Sequence, residues 1–191
     1  MLVRDKLILA SSSLRRQDLL RQAGIPFAIH PPDIPEVRSA SEKPLEYAVR
    51  LAQEKALAVA KRFPGRFILG ADTIVVACDQ LLEKPRDAED AARMLCLLSG
   101  RGHEVTTAVS VITPAKTMDT RSCTTKVFFR ELTEAEIQEY ANSGEPLDKA
   151  GSYAIQGGAA KWIPRLEGEY SNVVGLPLPL VGEMLRDNGF F

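Results

Sequence analysis

The segment Ser11-Ser12-Ser13-Leu14-Arg15-Arg16 follows a short apolar run, Leu7–Ala10, and opens a stretch whose apolar residues recur at helical spacing. Backbone N–H groups at the start of a helix point outward and attract anions. Serine hydroxyls add donors there, and the guanidinium forks of Arg15 and Arg16 match phosphate oxygens in pairs. The same residues also describe a serine-capped helix with solvated arginines. The glycines and the closing Gly-Lys-Ser/Thr of a Walker loop are missing.

A second group is Gly70-Ala71-Asp72-Thr73, where a carboxylate interrupts the apolar, β-branched run Phe67–Ala77. A charge in such a run is costly to bury unless it is paired or holds a metal. Asp72 therefore reads either as a general base or metal ligand, or as a turn residue at a bulge. Lys55, inside a helical pattern, and Lys84, just before Pro85, are compact positive charges suited to phosphate; each also reads as a solvated surface lysine. Gln156 lies among Gly151, Gly157 and Gly158, which leave room near the backbone. Its amide donates and accepts at once, as reading the edge of a base requires, and the plainer alternative is a glycine-rich hairpin with an exposed amide. Glu36, in the proline-rich Asp33-Ile34-Pro35-Glu36, is by itself a loop acid.

Composition excludes other chemistries. Lys plus Arg number 24 against 25 Asp plus Glu, a net charge of −1, so there is no excess of positive charge for a nucleic-acid surface. His30 and His103 are far apart, and Cys78, Cys96 and Cys123 match no zinc or redox spacing. The cysteines are expected to be buried thiols in a reducing cytoplasm. Any metal should be hard and held by carboxylates. The first apolar run, stopped by Arg15 and Arg16, is too short for a signal-peptide core or a membrane span. A chain of 191 residues suits one domain, or two small lobes sharing a core.

The elements that must position these groups follow from periodicity and punctuation. Leu7–Ala10 reads as a buried strand, Leu14–Ala23 as a helix capped by Ser13 and stopped at Gly24, and Ile25–Ile29 as a second strand. Four prolines make His30–Pro44 a loop. Leu45–Phe63 is a long helix ended by Pro64-Gly65. Phe67–Ala77 is strand-like but broken at Gly70–Thr73. Asp87 caps a helix to Leu98. Val105–Thr113 and Thr124–Phe129 are strands about a polar turn, and Thr133-Glu134-Ala135-Glu136 is a capping box. Tyr153–Ile155, Lys161–Leu166 and Ser171–Val174 read as short strands, and Leu178–Asn188 as a closing helix. The mixture without strict alternation predicts an α/β fold with a mixed sheet.

Taken in order, the pieces LILASSSLRR, RLAQEKA, LGADTIVV, LEKPRDAEDAARML, LSGRGHEVTTAV, GEPLDKAGSYAIQG and NVVGLPL resemble the Maf family, the septum-formation-inhibitor-like nucleotide pyrophosphatases. The resemblance runs from the first strand to the last helix. It implies a single domain over residues 1–191, a twisted mixed sheet with flanking helices, and two lobes around a central cleft, related to the inosine triphosphate pyrophosphatases. It also implies a homodimer that uses Mg²⁺ or Mn²⁺ to hydrolyse a nucleoside triphosphate to the monophosphate and pyrophosphate; the charge balance, the short first apolar run and the cysteines add the expectation of a cytoplasmic protein with no nucleic-acid or membrane partner.

By the same resemblance the proton acceptor is Asp72, the phosphate loop supplies Ser11, Arg15 and Arg16, the acidic loop residue is Glu36, and the lysines are Lys55 and Lys84. Glu36 and Asp72 are the expected metal ligands. Arg15, Thr73 and Gln156 look like the subgroup acting on dTTP and UTP; the 7-methyl-GTP subgroup resembles Trp, Gln and Glu at these places. Two positions depart from the pattern: Pro35 stands where relatives often carry a second Asp, and Leu14 where they often carry Pro. The rival readings are a non-catalytic nucleotide-binding regulator of cell division, a 7-methyl-GTP pyrophosphatase, and an enzyme of the same chemistry acting on a modified pyrimidine nucleotide.

Overall fold

The computed structural model describes residues 7–191. The first strand, β1 (Leu7–Leu9), is wholly buried and pairs in parallel with β2 (Phe27–Ile29) on one side and β3 (Ile68–Ala77) on the other. Parallel neighbours need crossovers. These are α1 (Leu14–Gln22) and α2 (Pro44–Ala60). Ser13 caps α1 as expected, accepting from the Arg16 N–H, and Gly24 follows its end at φ 66°. Pro44 occupies the first position of α2, where a missing N–H costs nothing. The acidic, proline-rich stretch between β2 and α2 is a loop, as its composition predicts.

The remaining elements are β4 (Gln80–Leu82), α3 (Ala88–Leu98), β5 (Gly102–Ile112), β6 (Met118–Phe128), α4 (Glu134–Ala141), β7 (Arg165–Glu167), α5 (Tyr170–Val174) and α6 (Leu178–Asp187). The sheet has the order β2-β1-β3-β5-β6-β7, with β4 hydrogen-bonded to β3. Parallel pairs at β1 and antiparallel pairs at β3–β4 and β6–β7 make it the mixed sheet that the sequence predicts. No helix of the described residues is long and apolar enough to cross a membrane.

Two compact units divide the chain. The first holds the described residues up to Asp72, with Thr107–Cys123 and Gly175–Phe191. Its core gathers Ile8, Ala10, Ala56, Val59, Ile68 and Ile112, with Phe63 packed against them. The second holds Thr73–Thr106 and Thr124–Val174. Its core includes an aromatic cluster in which Phe129 lies 5.3 Å from His103, 5.0 Å from Tyr153 and 6.2 Å from Trp162 between ring centroids.

Several sequence expectations are corrected. β3 is not broken at Gly70–Thr73 but runs straight through it. Tyr153–Ile155 is not a strand: Gly151 (φ 70°) and Ser152 (φ 62°) turn the chain just before it, and Tyr153 is buried against His103 and Phe129. A short buried apolar run does not by itself separate an extended segment from a turn. Of Lys161–Leu166 only the end is extended; Gly158–Trp162 is a 3₁₀ helix. Ser171–Val174 is helical, because the Glu169 carboxylate accepts from both the Ser171 N–H (2.9 Å) and hydroxyl (2.8 Å) and so starts α5. The hairpin β3–β4 has no sequence signal of the usual Asn-Gly kind. Cys78 and Asp79 adopt positive φ to form its two-residue turn. The cysteines are not buried thiols. Cys78 and Cys96 are exposed and Cys123 is half-buried, Cys78 at that turn and Cys96 on the face of α3 away from Leu95 and Leu98.

Candidate active site

The first unit assembles most of the residues singled out in the sequence. Lys55 sits on the stripe of α2 that buries Leu51, Ala52, Ala56 and Val59, so its ammonium is carried into the interior. It is only 6% exposed. Its Nζ donates to Asp72 Oδ1 at 2.7 Å and pairs with Glu36 Oε1 at 2.8 Å. Asp72, itself 7% exposed, is thus a paired buried carboxylate and not a bulge residue.

Gly70 explains how α2 comes so near. Gly70 and Asp72 share one face of β3, since strand side chains alternate. A Cβ on Gly70 would lie 2.4 Å from the Ala52 carbonyl oxygen and 2.8 Å from the Ala56 nitrogen. The helix backbone therefore rests directly on the strand, and Lys55 can reach Asp72.

Glu36 arrives on the loop between β2 and α2, and that loop is tethered to α2. The Tyr47 hydroxyl donates to the Glu36 carbonyl at 3.2 Å. Arg50 donates to the Val37 carbonyl at 3.0 Å and forks onto both Glu42 oxygens at 2.7 and 2.8 Å. This fork holds the Glu42 carboxyl below its usual range.

Arg16 completes the cluster. Its Nε donates to the Gly175 carbonyl at 2.8 Å and its Nη1 to Ser11 Oγ at 3.3 Å. Burial lowers the pKa of its guanidinium, the charge of Asp72 opposes that, Arg15 adds to the lowering, and Glu36 again opposes it. Ser11, Arg15, Arg16, Glu36, Lys55 and Asp72 are thereby gathered at the start of α1 and the middle of β3.

Thr73, Lys84 and Gln156 belong to the second unit. Thr73 is half-buried on β3; Lys84, after β4, and Gln156, in a turn, are exposed. The turn of Gln156 is held by Glu145, which accepts from the Gly158 N–H at 3.1 Å and from the Tyr140 hydroxyl at 2.8 Å. A Cβ on Gly157 would fall 1.8 Å from Glu145 Oε1, so glycine is required there for this clasp.

Sequence reading missed Tyr47, Arg50, Gly175 and Glu145. Arg50, Glu145 and Gly175 lie within the motifs RLAQEKA, GEPLDKAGSYAIQG and NVVGLPL, and Arg50 also shows its Arg50–Glu54 spacing along one helix face. The other contacts join residues whose juxtaposition no local spacing encodes.

The donor chemistry fits a hard divalent cation. Two carboxylate oxygens converge on a single ammonium nitrogen. Among the described residues, no group of three His, Cys, Asp or Glu could hold a metal. Mg²⁺ usually takes one or two carboxylates and completes its shell with water and substrate phosphates.

The sequence matches the family model of Maf-like proteins over residues 6–188. It is 50% identical over 184 residues to a dTTP/UTP pyrophosphatase of Koribacter versatilis, a match covering 96% of this chain and 94% of the relative. A dTTP/UTP pyrophosphatase of Geobacter metallireducens is 49% identical over 186 residues, 97% of each chain. Among solved structures, the Staphylococcus aureus Ham1 protein is similar in fold, with a TM-score of 0.51 at 13% identity over 95% of this chain and 98% of that one.

Proposed function

The chain belongs to the Maf family, and from that premise we propose that it hydrolyses dTTP and UTP to the nucleoside monophosphate and pyrophosphate. What supports catalysis, as opposed to nucleotide binding alone, is the pair of carboxylates Glu36 and Asp72 set beside Arg15, Arg16 and Lys55. A site that only bound polyphosphate would gain little from carboxylates unless a cation joined them.

Ser11, Arg15 and Arg16, at the start of α1, bind phosphate oxygens, and Lys55 and Lys84 offset further charge. Glu36 and Asp72 would hold Mg²⁺ or Mn²⁺, which when bound offsets phosphate charge and makes a coordinated water more acidic. Asp72 accepts the proton of the water that attacks the α-phosphorus, and pyrophosphate leaves. Gln156 pairs with the O4/N3 edge of thymine or uracil, and Thr73 shapes that selection. The chain acts as one catalytic domain, as a homodimer in the cytoplasm.

Pyrophosphate release from dTTP, UTP, CTP and 7-methyl-GTP at equal concentration, with and without Mg²⁺, tests the proposal. Preferred turnover of dTTP and UTP that needs Mg²⁺ is expected. Binding without turnover would establish a regulator instead, and preference for the methylated purine would overturn the subgroup.

A further inference from the structure

Lys55 occupies the place between Glu36 and Asp72 that a cation bound by both would take. We propose that Lys55 serves as the internal cation of this site in the free protein, and that a divalent metal enters already bound to the polyphosphate of the substrate. This rests on the reading above that Glu36 and Asp72 are the metal's ligands.

Two observations carry it. The first is charge. Arg15, Arg16 and Lys55 bring three positive charges against two negative ones from Glu36 and Asp72, and Arg16 feels Arg15 and both carboxylates. A net positive site repels a bare dication. It attracts a polyphosphate that remains an anion after taking one up.

The second is the unequal burial of the two ion pairs. The Asp72 side chain is 10% exposed and that of Glu36 is 44% exposed. Breaking the Asp72–Lys55 pair would leave two buried charges uncompensated and is costly, whereas Glu36, at its exposed end, can release Lys55 into water and leave it its Asp72 partner. Glu36 is therefore the carboxylate that gives up Lys55 first when the metal–polyphosphate complex arrives, the Asp72–Lys55 contact being the more costly of the two to break. The tether through Tyr47 and Arg50 holds the Glu36 backbone in place during that exchange.

The test is Mn²⁺ binding followed by electron paramagnetic resonance of the unbound ion, with the full chain alone, with inorganic pyrophosphate, and with Lys55→Met. For the wild-type chain alone, half-saturation is expected only at about 1 mM Mn²⁺ or above. With pyrophosphate, the protein should bind Mn²⁺ at least about tenfold more tightly, and Glu36→Gln should remove that gain without shifting the melting temperature. Lys55→Met alone should bind Mn²⁺ at least about tenfold more tightly than wild type alone.

Uptake of one Mn²⁺ per chain at micromolar concentration by the wild type alone would overturn the inference, as would a folded Lys55→Met that gains nothing. Should Lys55→Met not fold, equal Mn²⁺ affinity of the wild type with and without pyrophosphate would overturn it. None of these readings needs turnover. A chain that hydrolyses neither dTTP nor UTP but shows this pattern would refute the proposed substrates and leave this inference standing.

Discussion

Gly70→Ala should uncouple the Lys55–Asp72 pair from a distance of two residues. The new Cβ would sit 2.4 Å from the Ala52 carbonyl oxygen and 2.8 Å from the Ala56 nitrogen, whereas real Cβ atoms stay beyond 3.0 Å. Both neighbours are helix backbone, so no side chain can swing aside. Either α2 or β3 must retreat by roughly 0.6 Å for the closest contact to reach even 3.0 Å. Overpacking of this kind costs about 1–3 kcal/mol. At about 2–4 °C per kcal/mol for a chain of this size, melting should fall by roughly 2–12 °C. The same retreat draws Lys55 away from Asp72, now 2.7 Å apart, because Lys55 lies between Ala52 and Ala56 on the displaced helix. Circular dichroism melting and dTTP turnover, measured well below the melting temperature, are the assays. Turnover should drop even where the variant is fully folded. A Gly70→Ala protein with wild-type melting and wild-type kcat/KM would refute the account of how α2 is seated.

Other consequences are as direct. Asp72→Asn should lower kcat for dTTP by about 10²–10⁴-fold, and should also reduce thermal stability, since the buried Lys55 would lose its closest anion; near-normal turnover would remove Asp72 as the base. Burial pushes the His103 imidazole from 6.5 down to about 4, and its Nδ1 has no hydrogen-bond partner. The unfolded chain therefore binds a proton that the folded chain refuses between pH 6.5 and 4. Stability should be level above pH 6.5 and fall by up to about 3 kcal/mol as pH drops toward 4. Urea midpoints for wild type and His103→Gln across that range check this, and identical pH slopes would refute it. Gly157→Ala should force the Glu145 carboxylate off the Gly158 N–H and loosen the turn of Gln156. The expected result is a lower kcat/KM ratio of dTTP to CTP, and an unchanged ratio alongside lost stability would give Glu145 a purely structural role.

Much of the scaffold was legible in the residues. Ser13 and Gly24 bracket α1, Asp87 caps α3, and Thr133 with Glu136 opens α4, because capping is a local hydrogen-bond demand met within a few residues. The readings failed where local signals are ambiguous. Tyr153–Ile155 and Ser171–Val174 have strand-like composition, but burial and the Glu169 cap decided their conformation.

The site divides in the same way. Asp72, Lys55, Glu36 and Arg16 could each be named from residue type and context, yet for each a plain structural reading stood beside the chemical one. The sequence by itself determined which charges are available, which element carries each, and the family to which the order of motifs belongs. Only the tertiary structure decided that Lys55 stands between Asp72 and Glu36, that Gly70 admits the helix that brings it there, and that Tyr47, Arg50 and Gly175 hold the loop and the arginine in place. The physical reason is that pairing a buried charge is a contact between residues distant in the chain. Burial makes such pairing obligatory, but nothing local in the chain says which partner will meet it.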